Sequence, residues 1–200
     1  AFFVKNASGF FLFIEERASM VRSGKHHLQK EQPMDEPIKI ERNALDIIET
    51  IVSLASIVGV AVYLILVWKT IPDRIPMHYN AAGEINRWGD KSGLIVLPII
   101  SVMLYGMITL VERYPQIWNT GVTVTEENRA RVYRILKNMI AVIKMLMLAV
   151  FASITVLSSL VLRLPIWYLG VFLLAVFGSI ALFLVQLNKT RRGDKPATEV

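Results

Sequence analysis

Residues 71–93 read IPDRIPMHYNAAGEINRWGDKSG, a polar, turn-rich stretch that lies between two long apolar runs. Pro72 and Pro76 fix their own φ angles and push the residue before each toward extended backbone, so the preceding helix must end near Thr70. The segments PMHYN and EINRW then suit two short strands, joined by a three-residue loop with Gly83 at the left-handed position. The stretch therefore predicts a β-hairpin between two helices.

The loop length sets the register of this predicted hairpin. It pairs Asn80 with Glu84, Tyr79 with Ile85, His78 with Asn86 and Met77 with Arg87. Because side chains alternate along a strand, Met77, Tyr79, Ile85 and Arg87 share one face, and His78, Asn80, Glu84 and Asn86 share the other. Residues 89–92 are predicted to form a second turn, in which Asp90 or Ser92 caps the next helix.

Outside this stretch the chain is unusually apolar. Hydrophobic residues make up 54% of the full 200 residues and the mean hydropathy is +0.49, too high for an ordinary soluble domain. About 20 apolar residues are needed for a helix to cross a bilayer, and four runs are long enough, at residues 47–68, 93–111, 145–162 and 164–187. The predicted fold is an all-α integral membrane protein, with four transmembrane helices and one small extracytoplasmic hairpin.

The formal net charge of +6 does not indicate binding to nucleic acid, because of where the basic residues lie. They cluster at the ends of the apolar runs, where lysine and arginine meet lipid headgroups. The expected partner is therefore the lipid bilayer, and no nucleic-acid partner is expected. The chain has no cysteine, which excludes disulfides and thiolate metal sites. No cofactor is expected either.

The same basic residues predict the orientation. Segments 30–46, 112–138 and 188–200 together hold twelve lysines and arginines, whereas segment 69–93 and Arg163 hold five. Cytoplasmic loops carry the excess of positive charge. Both termini are therefore predicted to be cytoplasmic, and the hairpin in residues 70–92 is predicted to be outside.

Domain boundaries follow from these spans, the first of which is predicted to start at Asn43, with Asp46 three residues later. Residues 1–43 are predicted to form an N-terminal segment, disordered or non-native before Met34, and residues 44–162 form the main domain. Within that domain, Thr123 and Glu126 suggest a capping box that starts a basic amphipathic helix over residues 124–144, which runs into the third span. The fourth span covers residues 163–187, with Pro165 in its first turn, and residues 188–200 form a basic cytoplasmic tail.

The hairpin carries the candidate ligand-binding residues, which are His78, Tyr79, Asn80, Asn86 and Trp88. Three interpretations of its polar face are open: a metal or catalytic site, a His78–Asn86 hydrogen bond that holds the hairpin together, and a surface that recognises a peptide, lipid or sugar headgroup. A zinc site needs three or four ligands, and this loop offers one histidine with scattered carboxylates. No metal ligand and no catalytic residue is therefore assigned.

The same stretch resembles a bacterial membrane family of unknown function, whose domain also forms the N-terminal part of SdpI-type immunity proteins. The resemblance rests on the two prolines, the His-Tyr-Asn triplet, two glycines, a tryptophan and a lysine at set spacing, and on a later RYPQIWN…VTEEN motif. It implies a bacterial plasma membrane location and a structural role for Pro72, Pro76, Gly83, Gly89 and Lys91. SdpI-type proteins protect a cell from a secreted peptide toxin.

Three functional hypotheses remain. In the first, a non-enzymatic membrane protein senses or sequesters an extracellular ligand, such as a peptide toxin, through the hairpin. In the second, the chain is an accessory subunit of a membrane complex or transporter, in contact with a membrane-protein partner. In the third, it is an enzyme acting on a lipid or cell-wall precursor. Glu49 and Lys144 are placed near the inner boundary, where they snorkel or pair.

Overall fold

The computed structural model describes residues 40–193. Its elements in chain order are α1 (Ala44–Val67), β1 (Arg74–Tyr79), β2 (Ile85–Asp90), α2 (Val96–Arg113), α3 (Arg129–Ser159) and α4 (Tyr168–Gly193), with short 3-10 helices at Lys91–Ile95 and Pro115–Ile117. Within this range, four helical segments are long and apolar enough to cross a membrane, and the two strands pair between the first two helices. The predicted four membrane helices and small hairpin are confirmed. The predictions for residues 1–39 and 194–200 lie outside the described residues.

The start of α1 depends on local hydrogen bonds that the sequence indicates. The Asn43 side chain accepts a hydrogen bond from the backbone N–H of Asp46, at 3.0 Å. In return, the Asp46 carboxylate accepts one from the backbone N–H of Asn43, at 2.8 Å. This reciprocal capping box satisfies two N–H groups that the first helical turn leaves unpaired.

The start of α3 differs from the prediction. The Thr123–Glu126 capping box is wrong, because the helix begins at Arg129 after a turn. Thr125 and Asn128 form the reciprocal pair instead: the Thr125 N–H donates to the Asn128 side chain at 2.9 Å, and the Asn128 N–H donates to the Thr125 hydroxyl at 3.3 Å. Thr123 and Thr125 are each followed three residues later by a polar residue, Glu126 and Asn128 respectively. The spacing alone therefore does not show which pair forms the hydrogen bonds.

Helix α3 organises the bundle. It runs unbroken over 31 residues, about 46 Å at 1.5 Å per residue, so the amphipathic segment and the third span form one rod as predicted. Each of α1, α2 and α4 packs against α3. The apolar stripe of its first half is buried with a residue of α4, in a cluster that contains Val132, Ile135, Leu136 and Leu187.

The connection between α3 and α4 is longer than predicted. The expected tight turn with Pro165 in the first turn of a helix at 163–187 is wrong, since α4 begins at Tyr168. Helix α3 ends in a Schellman motif, in which Leu162 N–H donates to the Leu157 carbonyl at 3.0 Å and Val161 has a φ of +56°. The intervening residues contact the hairpin through Leu164, whose N–H donates to the Gly83 carbonyl at 3.0 Å.

The two strands pair in antiparallel fashion with two irregularities. Tyr79 lies opposite Ile85 as predicted, but His78 lies opposite Arg87 and not Asn86. The predicted Met77–Arg87 pairing is wrong too, because Met77 and Asn86 are extra residues that have no direct partner across the ladder. The strands also extend to residues 74 and 90, so the predicted turn at 89–92 is replaced by the end of β2 and a 3-10 helix.

A small apolar core joins the base of the hairpin to the helices. Its buried members come from the end of α1, the hairpin and the 3-10 helix after β2, and they are Val60, Leu64, Ile71, Ile75 and Leu94. Ile75 is completely buried. The hairpin is therefore part of the fold and not a free loop.

Candidate functional site

The hairpin turn is built around Asn80. Its side-chain oxygen accepts hydrogen bonds from the backbone N–H groups of Ala82 and Glu84, at 3.0 and 2.9 Å. Its side-chain nitrogen donates to the Glu84 carboxylate at 3.0 Å. With both ends of its amide engaged inside the turn, Asn80 shapes the loop, and the ligand-binding role predicted for it stays a prediction.

Gly83 attaches the turn to the α3–α4 connection. Its carbonyl accepts a hydrogen bond from the Leu164 N–H at 3.0 Å, and its φ of +79° falls in the left-handed region that glycine tolerates. A Cβ at this position would lie 2.1 Å from the Leu164 carbonyl oxygen. Glycine is therefore required here both by the backbone conformation and by the close approach of a second chain segment.

Tyr79 makes a second attachment, to the end of α3. Its phenol oxygen lies 3.1 Å from the Ser158 hydroxyl, and its O–H donates to the Leu162 carbonyl at 3.2 Å. Burial raises the pKa of the Tyr79 phenol, because desolvation disfavours the charged form. Tyr79 thus holds the hairpin on the bundle.

Met77 makes the third attachment, at the base of the hairpin. A Cβ on Gly89 would lie 2.5 Å from the Met77 Cγ, and one on Gly93 would lie 2.5 Å from its Cε. The thioether therefore fills the space that two glycines leave open, and it packs against the apolar core around Ile75. This packing explains why Met77 departs from the predicted register.

The other predicted motif residues also have structural partners. Lys91 forms an ion pair with Asp73 at 2.8 Å and donates its backbone N–H to the Asp73 carbonyl at 3.0 Å, which closes the base of the hairpin. Asp90 caps the 3-10 helix by accepting from the Ser92 N–H at 2.8 Å, and this backbone hydrogen bond lowers the pKa of Asp90. Pro76 is fully buried, whereas Pro72 is exposed.

The outward surface of the hairpin contains His78, Asn86 and Trp88, all exposed. The predicted hydrogen bond between His78 and Asn86 is confirmed, with 2.7 Å between Nδ1 and Oδ1. It fixes the imidazole ring and leaves Nε2 as the nitrogen available to another molecule. Trp88 is 46% exposed, so much of a large apolar ring faces outward. We call these three residues the ring surface.

A second polar site lies at the opposite end of the helices. Lys144 of α3 pairs with Glu49 of α1 at 3.1 Å and with Glu112 of α2 at 2.7 Å. Pairing between Glu49 and Lys144 is one of the two arrangements expected from the sequence, whereas the contact with Glu112 was not predicted. Glu112 is the next-to-last residue of α2, a position where an acid normally reaches water, so spacing along the chain carries no signal for it.

A separate group of charges ties α1 to α3 nearby. Asp46 contacts Arg134 at 3.0 Å and Lys137 at 3.3 Å, and the Asn43 side chain donates to Asn138 at 3.2 Å. Every one of these polar groups is matched by a partner. The arrangement holds the two helices in register and has one more positive charge than negative charge.

Comparison with known proteins finds similarity in the region that contains the hairpin. Residues 55–102, which include the hairpin and parts of α1 and α2, match the family described as "Domain of unknown function (DUF1648)". An uncharacterized protein of Archaeoglobus fulgidus is 32% identical over 75 residues, which cover 34% of this chain and 41% of the relative. The chain thus aligns with less than half the length of that relative. No solved structure matches.

These findings support a multi-pass membrane protein that contains a domain of unknown function. Its apolar helices contact the lipid bilayer. The resemblance to SdpI-type proteins, the orientation of the termini and the bacterial plasma membrane remain predictions.

Proposed function

We propose that this chain is a non-enzymatic membrane protein of the bacterial plasma membrane that binds an extracellular peptide through the ring surface of its hairpin. The observation that carries the proposal is the contrast within the hairpin. Its inner side is attached to the bundle at three points, whereas His78, Asn86 and Trp88 face outward. Exposed tryptophan on a fixed scaffold is the residue type that dominates binding energy at protein interfaces.

The attachments support binding by reducing its entropic cost. Gly83, Tyr79 and Met77 hold the turn, the strand end and the base to different parts of the bundle. A ligand that contacts the ring surface therefore does not need to order a loose loop, which would consume about 1–2 kcal/mol per residue. Preformed surfaces of this kind favour recognition.

The strand arrangement favours a peptide as the ligand. Strand β1 packs against α3 and the 3-10 helix, while β2 packs mainly on β1 and forms the outer strand. The outer edge of a small sheet pairs readily with an extended peptide, which gains main-chain hydrogen bonds there and side-chain contacts beside them. Trp88 lies on this outer strand.

The carboxylates of the hairpin support a role without catalysis. Asp73 is paired with Lys91, Glu84 accepts from Asn80, and Asp90 caps a helix. Each of these three acids thus has a local structural partner. Within residues 40–193, no group of three or more His, Asp or Glu side chains is placed to hold a metal ion.

The proposal requires the hairpin to be outside the cell, and the charge distribution supports this. Because the chain has no cysteine, single cysteines report location without interference. A membrane-impermeant thiol reagent should label Ala82→Cys in intact cells and should label Thr120→Cys only after the cells are opened. The reverse pattern would rule out an extracellular binding role.

Survival of cells challenged with secreted peptide toxins tests function. Expressing cells should survive better than cells with an empty vector, and Trp88→Ala or His78→Ala should remove the benefit. Tyr114→Ala is the matched control, because Tyr114 is a similarly exposed ring (48%) at the other end of α2. Equal survival of all strains would contradict peptide immunity. A larger membrane protein that co-purifies with the chain, with or without Trp88, would favour the accessory-subunit role.

A further inference from the structure

The buried charges at the end of the bundle opposite the hairpin form a compact cluster. Lys144 Nζ lies 3.1 Å from Glu49 Oε1 and 2.7 Å from Glu112 Oε2, so one ammonium group serves two carboxylates. The side chains are 2% exposed for Lys144, 6% for Glu49 and 14% for Glu112. The three residues come from α3, α1 and α2, and we call them the Lys144 cluster.

The surroundings of the cluster are only partly polar. Ser53 donates to Glu49 Oε1 at 2.8 Å, and the Thr109 hydroxyl lies 3.4 Å from Lys144 Nζ. The ring of Tyr105 is 5.1 Å from the same nitrogen, within the range of a cation–π contact. These groups favour the positive charge of Lys144 and do nothing to neutralise a second carboxylate.

Glu112 is the unbalanced member. Its Oε2 atom contacts Lys144, but its Oε1 atom is buried without a hydrogen-bond partner among the described residues. Leaving a buried acceptor unpaired is costly, and more so when the group is charged. With both glutamates ionised, the cluster would hold two negative charges against one positive charge in a water-poor site.

Other charges near the cluster offset this imbalance only from a distance. On α1 and α3, Asp46 pairs with both Arg134 and Lys137, so one positive charge is in excess there. Lys137 acts on the Glu112 carboxylate electrostatically, but it forms no ion pair with it. On α2, the adjacent Arg113 is exposed to solvent. No second cation is therefore in contact with Glu112 within the described part of the chain.

We propose that Glu112 is a proton-binding site at the edge of the membrane. One proton adds to its Oε1 atom, so Lys144 and Glu49 remain as a balanced ion pair, and Lys144 still donates to the carbonyl-like Oε2. Ionisable groups buried among membrane helices are commonly the sites at which protons are taken up. Glu112 is also the most exposed of the three, which gives the proton a route from the surface.

Infrared spectroscopy of the full chain in lipid vesicles tests this directly, because a carboxylic acid and a carboxylate absorb at different frequencies. At neutral pH the wild-type protein should show a band from a buried carboxylic acid, and the band should disappear as the pH is raised. Glu112→Gln should lose the band. Asp46→Asn is the matched control, because Asp46 is a neighbouring acid in ion pairs, and this variant should keep the band.

Three results would overturn the proposal. The first is the absence of any carboxylic acid band in the wild-type protein at neutral pH, and the second is an unchanged band in Glu112→Gln. The third is a band that exists in choline buffer and is lost in sodium buffer, which would assign the site to a metal cation. If Glu112→Gln does not fold, Glu112→Asp decides the question, since it should keep an acid band at a shifted frequency.

Discussion

Replacing Lys144 by methionine tests how much of the stability depends on the buried charges. The change keeps an unbranched apolar side chain of nearly the same length and removes the ammonium group that contacts Glu49 at 3.1 Å and Glu112 at 2.7 Å. At an effective dielectric constant of about 20, one such contact is worth about 5 kcal/mol before desolvation is subtracted. Removing one partner of a buried pair typically costs about 3–5 kcal/mol, because the remaining charge stays buried.

We therefore expect Lys144→Met to lower the free energy of unfolding by about 3–5 kcal/mol. The measurement is reversible unfolding in mixed micelles with rising denaturing detergent, followed by circular dichroism. Lys189→Met is the matched control, because Lys189 is exposed on α4 and its loss should have little effect.

A double variant tests whether Lys144 and Glu49 act as a pair. Lys144→Met combined with Glu49→Gln removes the ion pair as a unit, so stability should recover to within about 1–2 kcal/mol of wild type. This recovery is expected because a protonated Glu112 would leave no charge in the site. A Lys144→Met protein that unfolds within about 1 kcal/mol of wild type would refute the argument that these charges are buried and coupled.

The remaining predictions concern the hairpin and its attachment, and each is measured by the same unfolding assay. Gly83→Ala should lower the free energy of unfolding by about 2–4 kcal/mol, because its Cβ would lie 2.1 Å from the Leu164 carbonyl oxygen and the residue would keep a φ of +79°. An unchanged free energy of unfolding would show that the turn is not in contact with Leu164. Val161→Gly should stabilise by about 0.5–1 kcal/mol by relieving a branched residue at a φ of +56°, and a loss of stability would contradict that strain. Tyr79→Phe should cost about 1–2 kcal/mol through loss of the contact with Ser158 at 3.1 Å, whereas no change would mean that the hydroxyl is equally well satisfied by water.

Local spacing was enough to predict much of this protein. The apolar runs predict four membrane helices, Asn43 and Asp46 predict the start of α1, and the prolines with Gly83 predict a hairpin. Each of these depends on residues within a few positions of one another. The competing threonines before α3 show the limit, since two equally good local patterns were present and only one forms.

Less of the candidate site in the hairpin could be predicted from local spacing. The His78–Asn86 hydrogen bond could be predicted because the two residues are close in the chain. The displacement of Met77 and Asn86 from the regular register could not, because it follows from how the Met77 side chain fits against Gly89 and Gly93. A fit of this kind depends on shapes that exist only after the strands and the 3-10 helix meet.

The amino-acid sequence alone determines that the chain crosses a membrane and carries a folded hairpin in residues 71–93, because hydrophobic length and backbone restriction act locally. Only the tertiary structure brings Glu112 to Lys144, 32 residues away, and places Leu164 on Gly83. Those contacts come from packing α1, α2 and α4 around α3. Packing is a property of complementary surfaces from distant segments, which no local pattern specifies.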